Sequence, residues 1–156
     1  MRIMLEIAPH YLWFSGDGYN WNPDLDPIFY RCFNNLRPRE HMFYLRSLLQ
    51  TDNPLIAIGS DHACHSREEK MINRFGGLPS TQEMVATILT LAEELSLSEE
   101  QIAKLLTYNA ADFLFIPVSG EKRLYQLEEK IDDKVYCHGR VVNPWAGSKL
   151  LFPAPL

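Results

Sequence analysis

The stretch Ile56-Ala57-Ile58-Gly59-Ser60-Asp61-His62-Ala63-Cys64-His65-Ser66-Arg67-Glu68-Glu69-Lys70 decides how this chain is read. An apolar, β-branched run stops at a carboxylate, and two histidines and a charged turn follow it. The run reads as a buried strand from Leu55 to Ser60. In parallel α/β folds, residues just past the carboxyl ends of strands face the ligand, because the packed sheet beneath holds the short loops there. Asp61, His62 and His65 are therefore the first candidates for chemistry.

Upstream, Ile3 to Ala8 reads as a second short strand ending at Pro9-His10. Ser15 to Pro27 is rich in Gly, Asp, Asn and Pro, a composition in which turn chemistry dominates, so a long loop is expected there, of a length that is usually functional or mobile. Pro38 to Gln50 carries Met42, Leu45, Leu48 and Leu49 at helical spacing. Strand, loop, helix and strand thus succeed one another as in a parallel βαβ unit.

Downstream, Ser80-Thr81-Gln82-Glu83 and Ser98-Glu99-Glu100-Gln101 both have the pattern of a capping box at a helix start. The first leads into Met84, Ile88, Leu91 and Leu95, the second into Ile102, Leu105 and Leu106, each an apolar face. Tyr108 to Ile116 is apolar and ends at Pro117, and Leu124 to Phe152 is a mixed tail with strand candidates around Val135 and Val141. No internal repeat or low-complexity tract interrupts the chain.

Composition narrows the function classes. A hydrophobic content of 46% and a charged content of 22% over 156 residues suit a single core, and one domain over residues 1–156 is expected. A net charge of −5 and the absence of any Lys/Arg run argue against nucleic acid, since phosphate binding draws on a basic face. No apolar stretch approaches the roughly 18 residues a membrane span needs, and Glu6 cuts short the apolar start. A cytoplasmic protein is the expectation. Cys32, Cys64 and Cys137 are odd in number and lack C-x-x-C spacing, so reduced thiols are the default.

The run Ser60-Asp61-His62-Ala63-Cys64-His65, continued by Ser66-Arg67-Glu68-Glu69-Lys70, resembles the eighth-strand signature of dihydroorotases, usually Thr-Asp-His-Ala-Pro-His before a charged segment with Glu-Lys. Ala8-Pro9-His10-Tyr11-Leu12 is similar to the family's Pro-His-His-Leu after the seventh strand. Gly76-Gly77-Leu78 resembles its glycine-containing substrate loop, and Asn143-Pro144-Trp145-Ala146-Gly147 its Pro-Phe-x-Ala-Gly tail. The resemblance implies an α/β fold: the carboxyl-terminal part of a (β/α)8 TIM-type barrel, its last strands and helices followed by a carboxyl-terminal tail. It implies a zinc-dependent cyclic amidohydrolase interconverting carbamoyl aspartate and dihydroorotate in pyrimidine biosynthesis. By matching position, Asp61 becomes metal ligand and general base, and His65, Gly76 and Gly77 become substrate contacts. Phe33-Asn34-Asn35-Leu36-Arg37 stands where the family has Asn-Pro-Pro-Leu-Arg, so Asn34 or Asn35 is the replacement for its substrate-binding asparagine.

The chemistry fits those residue types. Opening a cyclic amide needs an activated water, which zinc supplies by lowering its pKa to about 7, and a carboxylate can move the proton on to the departing nitrogen. His65 can hydrogen-bond a substrate carboxylate, and glycine backbone can approach a flat ring closely. From spacing alone an Asp after a strand is more often a turn or cap residue, and the motif reverses that reading for Asp61. His62 is equally a packing residue, His10 reads as structural, His41 and His138 as solvated, and Glu68-Glu69-Lys70 as a solvated face.

The family's His-x-His pair, carboxylated lysine and two further histidines have no counterpart here, and a full barrel needs roughly 200 to 250 residues. The remaining zinc ligands are expected upstream, the chain is expected to be incomplete as an enzyme by itself, and self-association or a partner chain is expected to cover its apolar edges. Other readings are a hydantoinase or allantoinase, a non-catalytic partner subunit, or a truncated gene product.

Overall fold

In the computed structural model, residues 2–118, 125–132, 136–137 and 141–155 are described. Strand β1 (Leu5–Ile7) lies parallel to β2 (Ile56–Ile58), with Leu5 opposite Ile56 and Ile7 opposite Ile58. The expected strand over Leu55 to Ser60 is shorter than its apolar run. Its hydrogen bonds nevertheless reach one residue further at each end, from Leu5 N–H to the Leu55 carbonyl and from Gly59 N–H to the Ile7 carbonyl. All three β2 residues are buried, as expected of a parallel strand covered on both faces. At Gly59 the exposed Glu6 side chain lies where a Cβ would stand, so a larger residue there would have to move that side chain aside.

Between the strands run α1 (Pro9–Trp13), the Gly/Asn/Asp-rich loop, a 3-10 turn (Pro27–Tyr30) and α2 (Arg39–Leu49). Pro9 opens α1 at a position where a missing amide costs nothing, and the Asp26 carboxylate accepts from Ile28 N–H to start the 3-10 turn. Helix α2 turns Met42, Arg46 and Leu49 inward. The buried Arg46 donates from Nε to the Leu12 carbonyl at 2.7 Å and from Nη1 to Glu94 at 3.1 Å, which ties α1 to the helix that carries Glu94.

After β2 come α3 (Arg67–Asn73) and α4 (Met84–Leu95). Next are α5 (Glu99–Ala103), a π turn (Lys104–Tyr108) and α6 (Asn109–Leu114). The Ser98 capping box forms as expected, with Ser98 Oγ accepting from Gln101 N–H. The Ser80 box does not form: α4 starts after Glu83 without a side-chain cap. Ser80 is buried instead, its hydroxyl donating to the Ser60 carbonyl and its amide to His62 Nδ1, so the loop after β2 has taken the groups that would have capped α4. The π turn carries Asn109 inward, where its Nδ2 donates to the Ile56 carbonyl at 2.8 Å and secures β2 from the helical side.

The tail forms a long antiparallel pair, β3 (Tyr125–Ile131) with β6 (Lys149–Pro155), and a short one, β4 (Tyr136–Cys137) with β5 (Val141–Val142). The strand expected around Val141 is β5, whereas Val135 and His138 lie outside the described residues. Strand β6 packs on α4, and Trp145 closes the core from this side with its ring edge-on to Phe14. No helix among the described residues is long and apolar enough to cross a membrane.

Candidate active-site rim

Asp61 emerges two residues beyond Gly59 with φ 43°, in the left-handed region that Asp and Asn tolerate better than most residues. Its carboxylate is 60% exposed, and one oxygen lies 3.7 Å from His10 Nε2. His10, at the start of α1, is fully buried and neither ring nitrogen has a hydrogen-bond partner. Burial pushes its pKa down to about 4 against the opposing pull of Asp61, with Lys70 adding to the depression. It therefore faces Asp61 as a neutral imidazole at neutral pH. The expectation that His10 is structural fits its burial, but the residue also touches the carboxylate on which the chemistry was placed.

The loop after Asp61 is stitched to the glycine segment. His62 forms a parallel bridge to Leu78, Ala63 N–H donates to the Leu78 carbonyl at 3.0 Å, and His62 Nδ1 accepts from the amides of Ser80 and Thr81 at 3.0 and 3.2 Å. The His62 ring is held as a tie between loops, with the Cys64 thiol against its Nε2. This stitching puts His65 beside Gly77, and the His65 ring rests on Phe75 with centroids 5.2 Å apart. Gly77 has φ 146°, and a Cβ there would fall 2.6 Å from Ala63 Cβ, so the close approach requires glycine.

A third loop closes on these two. A Cβ at Gly76 would fall 3.1 Å from Phe33 N, and Gly77 N–H donates to the Arg31 carbonyl at 3.0 Å. Tyr11 Oη is within hydrogen-bonding reach of the Phe33 and Asn34 carbonyls, at 2.6 and 2.7 Å. Burial raises the pKa values of Tyr11 and Cys32, and the negative charge of Asp61 raises both further, which places all three in one electrostatic neighbourhood. Asn35 is exposed on this loop, and Phe33, where the family has asparagine, is 76% exposed.

Lys70 corrects the sequence reading. It was expected on a solvated face, yet it is 1% exposed, donating from Nζ to the Arg31 carbonyl at 3.0 Å and the Phe29 carbonyl at 3.3 Å. A separate groove of about 640 Å3, lined by Trp13, Trp21, Asp24 and Glu93 among others, contains none of these residues.

No family model matches the chain. A dihydroorotase of Syntrophus aciditrophicus (strain SB) is 28% identical over 123 residues, covering 75% of this chain and 27% of that protein. The solved dihydroorotase of Saccharomyces cerevisiae, in complex with 5-fluoroorotic acid, superposes with a TM-score of 0.77 at 17% identity, over 100% of this chain and 44% of its own. That of Campylobacter jejuni gives 0.72 at 21% identity, over 96% and 44%. The chain has the fold of the carboxyl-terminal part of a dihydroorotase. A D-hydantoinase of a Bacillus species gives 0.68 at 19% identity, over 93% of this chain and 35% of its own, so that protein shares the fold. The chain spans about a quarter of the curated dihydroorotase and under half of each of these solved chains.

Within this dihydroorotase-like frame the donor set for a metal is short. Asp61 and the unpartnered nitrogen of His10 are two donors, and no group of three or more His, Cys, Asp or Glu side chains able to hold a metal occurs among the described residues. A catalytic zinc normally takes three protein ligands. The residues present therefore do not make up a zinc site by themselves.

Proposed function

We propose that this chain supplies the carboxyl-terminal share of a dihydroorotase-like site for reversible ring closure of carbamoyl aspartate to dihydroorotate, the step of pyrimidine biosynthesis that this chemistry serves. The observation that carries this reading is local geometry: β2 leads into Asp61, whose carboxylate lies 3.7 Å from His10, and the bridge from His62 to Leu78 brings the loop of His65 beside Gly77. In ring opening, the Asp61 carboxylate takes a proton from the attacking water and returns it to the ring nitrogen as the C–N bond breaks. His65 donates to the substrate carboxylate, the backbone at Gly76 and Gly77 lies along the flat ring, and Asn35, or Asn34 beside it, supplies the polar contact of the third loop. Zinc belongs to this reading as a group that Asp61 would join, with its other donors outside the described residues. Turnover by the chain alone is accordingly expected to be absent even with added zinc.

One observation favours a second reading. Phe33 replaces the family's asparagine and stands exposed at the rim, which suits a cyclic amide without a carboxylate, as in a hydantoinase. Saturation-transfer NMR with dihydroorotate and with unsubstituted hydantoin separates the two. Transfer to dihydroorotate that is lost in His65→Ala supports the dihydroorotase-like reading. Transfer to hydantoin alone supports the second, and transfer to neither contradicts both.

A further inference from the structure

Lys70 lies on α3 in a Glu-Glu-Lys run that composition assigns to solvent, and the fold buries it. Taking an ammonium group out of water is costly unless its donors are used, and Lys70 uses its own on the carbonyls of Phe29 and Arg31. The Arg31 carbonyl is a junction, since it also accepts from Gly77 N–H. Residues Cys32 to Asn35 follow directly from it. Helix α3 itself starts immediately after His65: Ser66 caps it, with Ser66 Oγ accepting from Glu69 N–H and the Glu69 carboxylate accepting from Ser66 N–H at 2.7 Å.

One side chain thus joins the helix that follows His65 to the backbone that carries both the Phe33–Asn35 loop and the Gly77 contact. We infer that Lys70 is a positioning residue, its ammonium group clamping the Phe29 and Arg31 carbonyls so that the loops bearing His65, Asn35 and Gly77 keep one mutual register at the substrate rim. It touches no reacting atom. An apolar side chain of equal length would fill the space but leave two carbonyls without this donor. Tyr11 reaches the same loop separately, through the Phe33 or Asn34 carbonyl. The loss of register rests on the bonds above, and its effect on ligand rests on the proposed function.

Amide hydrogen exchange on the full chain tests the clamp. In Lys70→Met, protection of Gly77 and Arg31 should fall about ten- to hundredfold more than that of the α4 amides, and Lys70→Arg, which keeps N–H donors, should restore part of it. Equal loss at Gly77 and in α4 would overturn the inference, as would no loss at either, or an arginine variant no better than methionine. If Lys70→Met does not fold, exchange of the unsubstituted chain in sub-denaturing urea decides. The amides of Arg31, Lys70 and Gly77 should open together, below the global opening of α4, and three separate openings would overturn the clamp. Dihydroorotate titrated onto the folded variants gives the functional arm, with at least tenfold weaker binding expected in Lys70→Met. A chain that binds no dihydroorotate, yet loses Gly77 protection on substitution, would remove the proposed function and leave the clamp standing. Unchanged dihydroorotate affinity in Lys70→Met would overturn its role at the rim.

Discussion

Burying the Lys70 amine gives the protein a pH-dependent stability in the alkaline range. Burial, with the nearby Arg31 charge adding to it, pushes its pKa down from the ordinary 10.5 to about 8, while Cys32 acts in the opposite direction. Between those values the unfolded chain holds the proton and the folded chain has released it, so stability rises as pH increases through the window. Below about pH 8 both states are protonated and the full cost of the buried charge is present. At about 1.4 kcal/mol per pKa unit the rise is on the order of a few kcal/mol. Urea midpoints measured from pH 7.5 to 10 should therefore climb in the unsubstituted chain relative to Lys70→Met, and parallel curves would contradict this. At this scale the sequence singles out Asp61 and His65 as candidates because a contiguous motif carries them. It does not single out Lys70, Tyr11 or the contact of His10 with Asp61, because each depends on which loop folds over it, and Glu-Glu-Lys looks the same in sequence whether its lysine faces water or carbonyls.

The helix starts show why local pattern succeeds in one place and fails in another. Ser98 and Gln101 sit on an exposed turn where nothing competes, and the box forms as the sequence predicts. Ser66-Arg67-Glu68-Glu69 has the same spacing and forms the same box at α3, hidden in the sequence inside a run read for its chemistry. Ser80 has the pattern but donates its hydroxyl to Ser60, a partner about twenty residues away in sequence, so a tertiary bond wins over the cap. Ser98→Ala and Ser66→Ala should each cost about 1 kcal/mol, the usual loss of an N-cap. Ser80→Ala should leave α4 helicity unchanged and instead loosen the loop after β2. Circular dichroism with urea unfolding reads the first two. Amide exchange at Ala63, whose N–H bonds the Leu78 carbonyl, reads the third, and loss of α4 protection in Ser80→Ala would show that it is a cap after all.

Across the whole molecule the parallel sheet has two strands among the described residues, and in each the outer edge lacks a strand partner there. Ile3, just before β1, and Leu5, its first residue, are exposed, and Leu114, Phe115 and Ile116 are exposed at the end of α6. Apolar surface is worth about 25 cal/mol per Å2 when buried, so several hundred Å2 of it is comparable with a typical folding free energy of about 5 to 15 kcal/mol. The 156-residue chain is therefore expected to self-associate or to bind a partner that covers these edges, and a compact micromolar monomer by light scattering with residues 55–60 and 84–106 well protected in amide exchange would contradict this. The strand order and the βαβ unit were legible from apolar runs and helical spacing. The long β3–β6 pair was not, because its pairing joins segments on either side of a stretch that carries no strong period.

The central claim is that Asp61, His65 and the two loops stitched to them form one cyclic-amide-binding rim. A titration of the 15N-labelled chain with dihydroorotate, followed through its backbone amides, tests this most directly. The rim predicts saturable shifts that cluster at residues 61–65, 31–35 and 76–78 and disappear in His65→Ala. Shifts confined to the groove between Trp21 and Glu93, or no shifts at millimolar ligand with the fold intact, would contradict it.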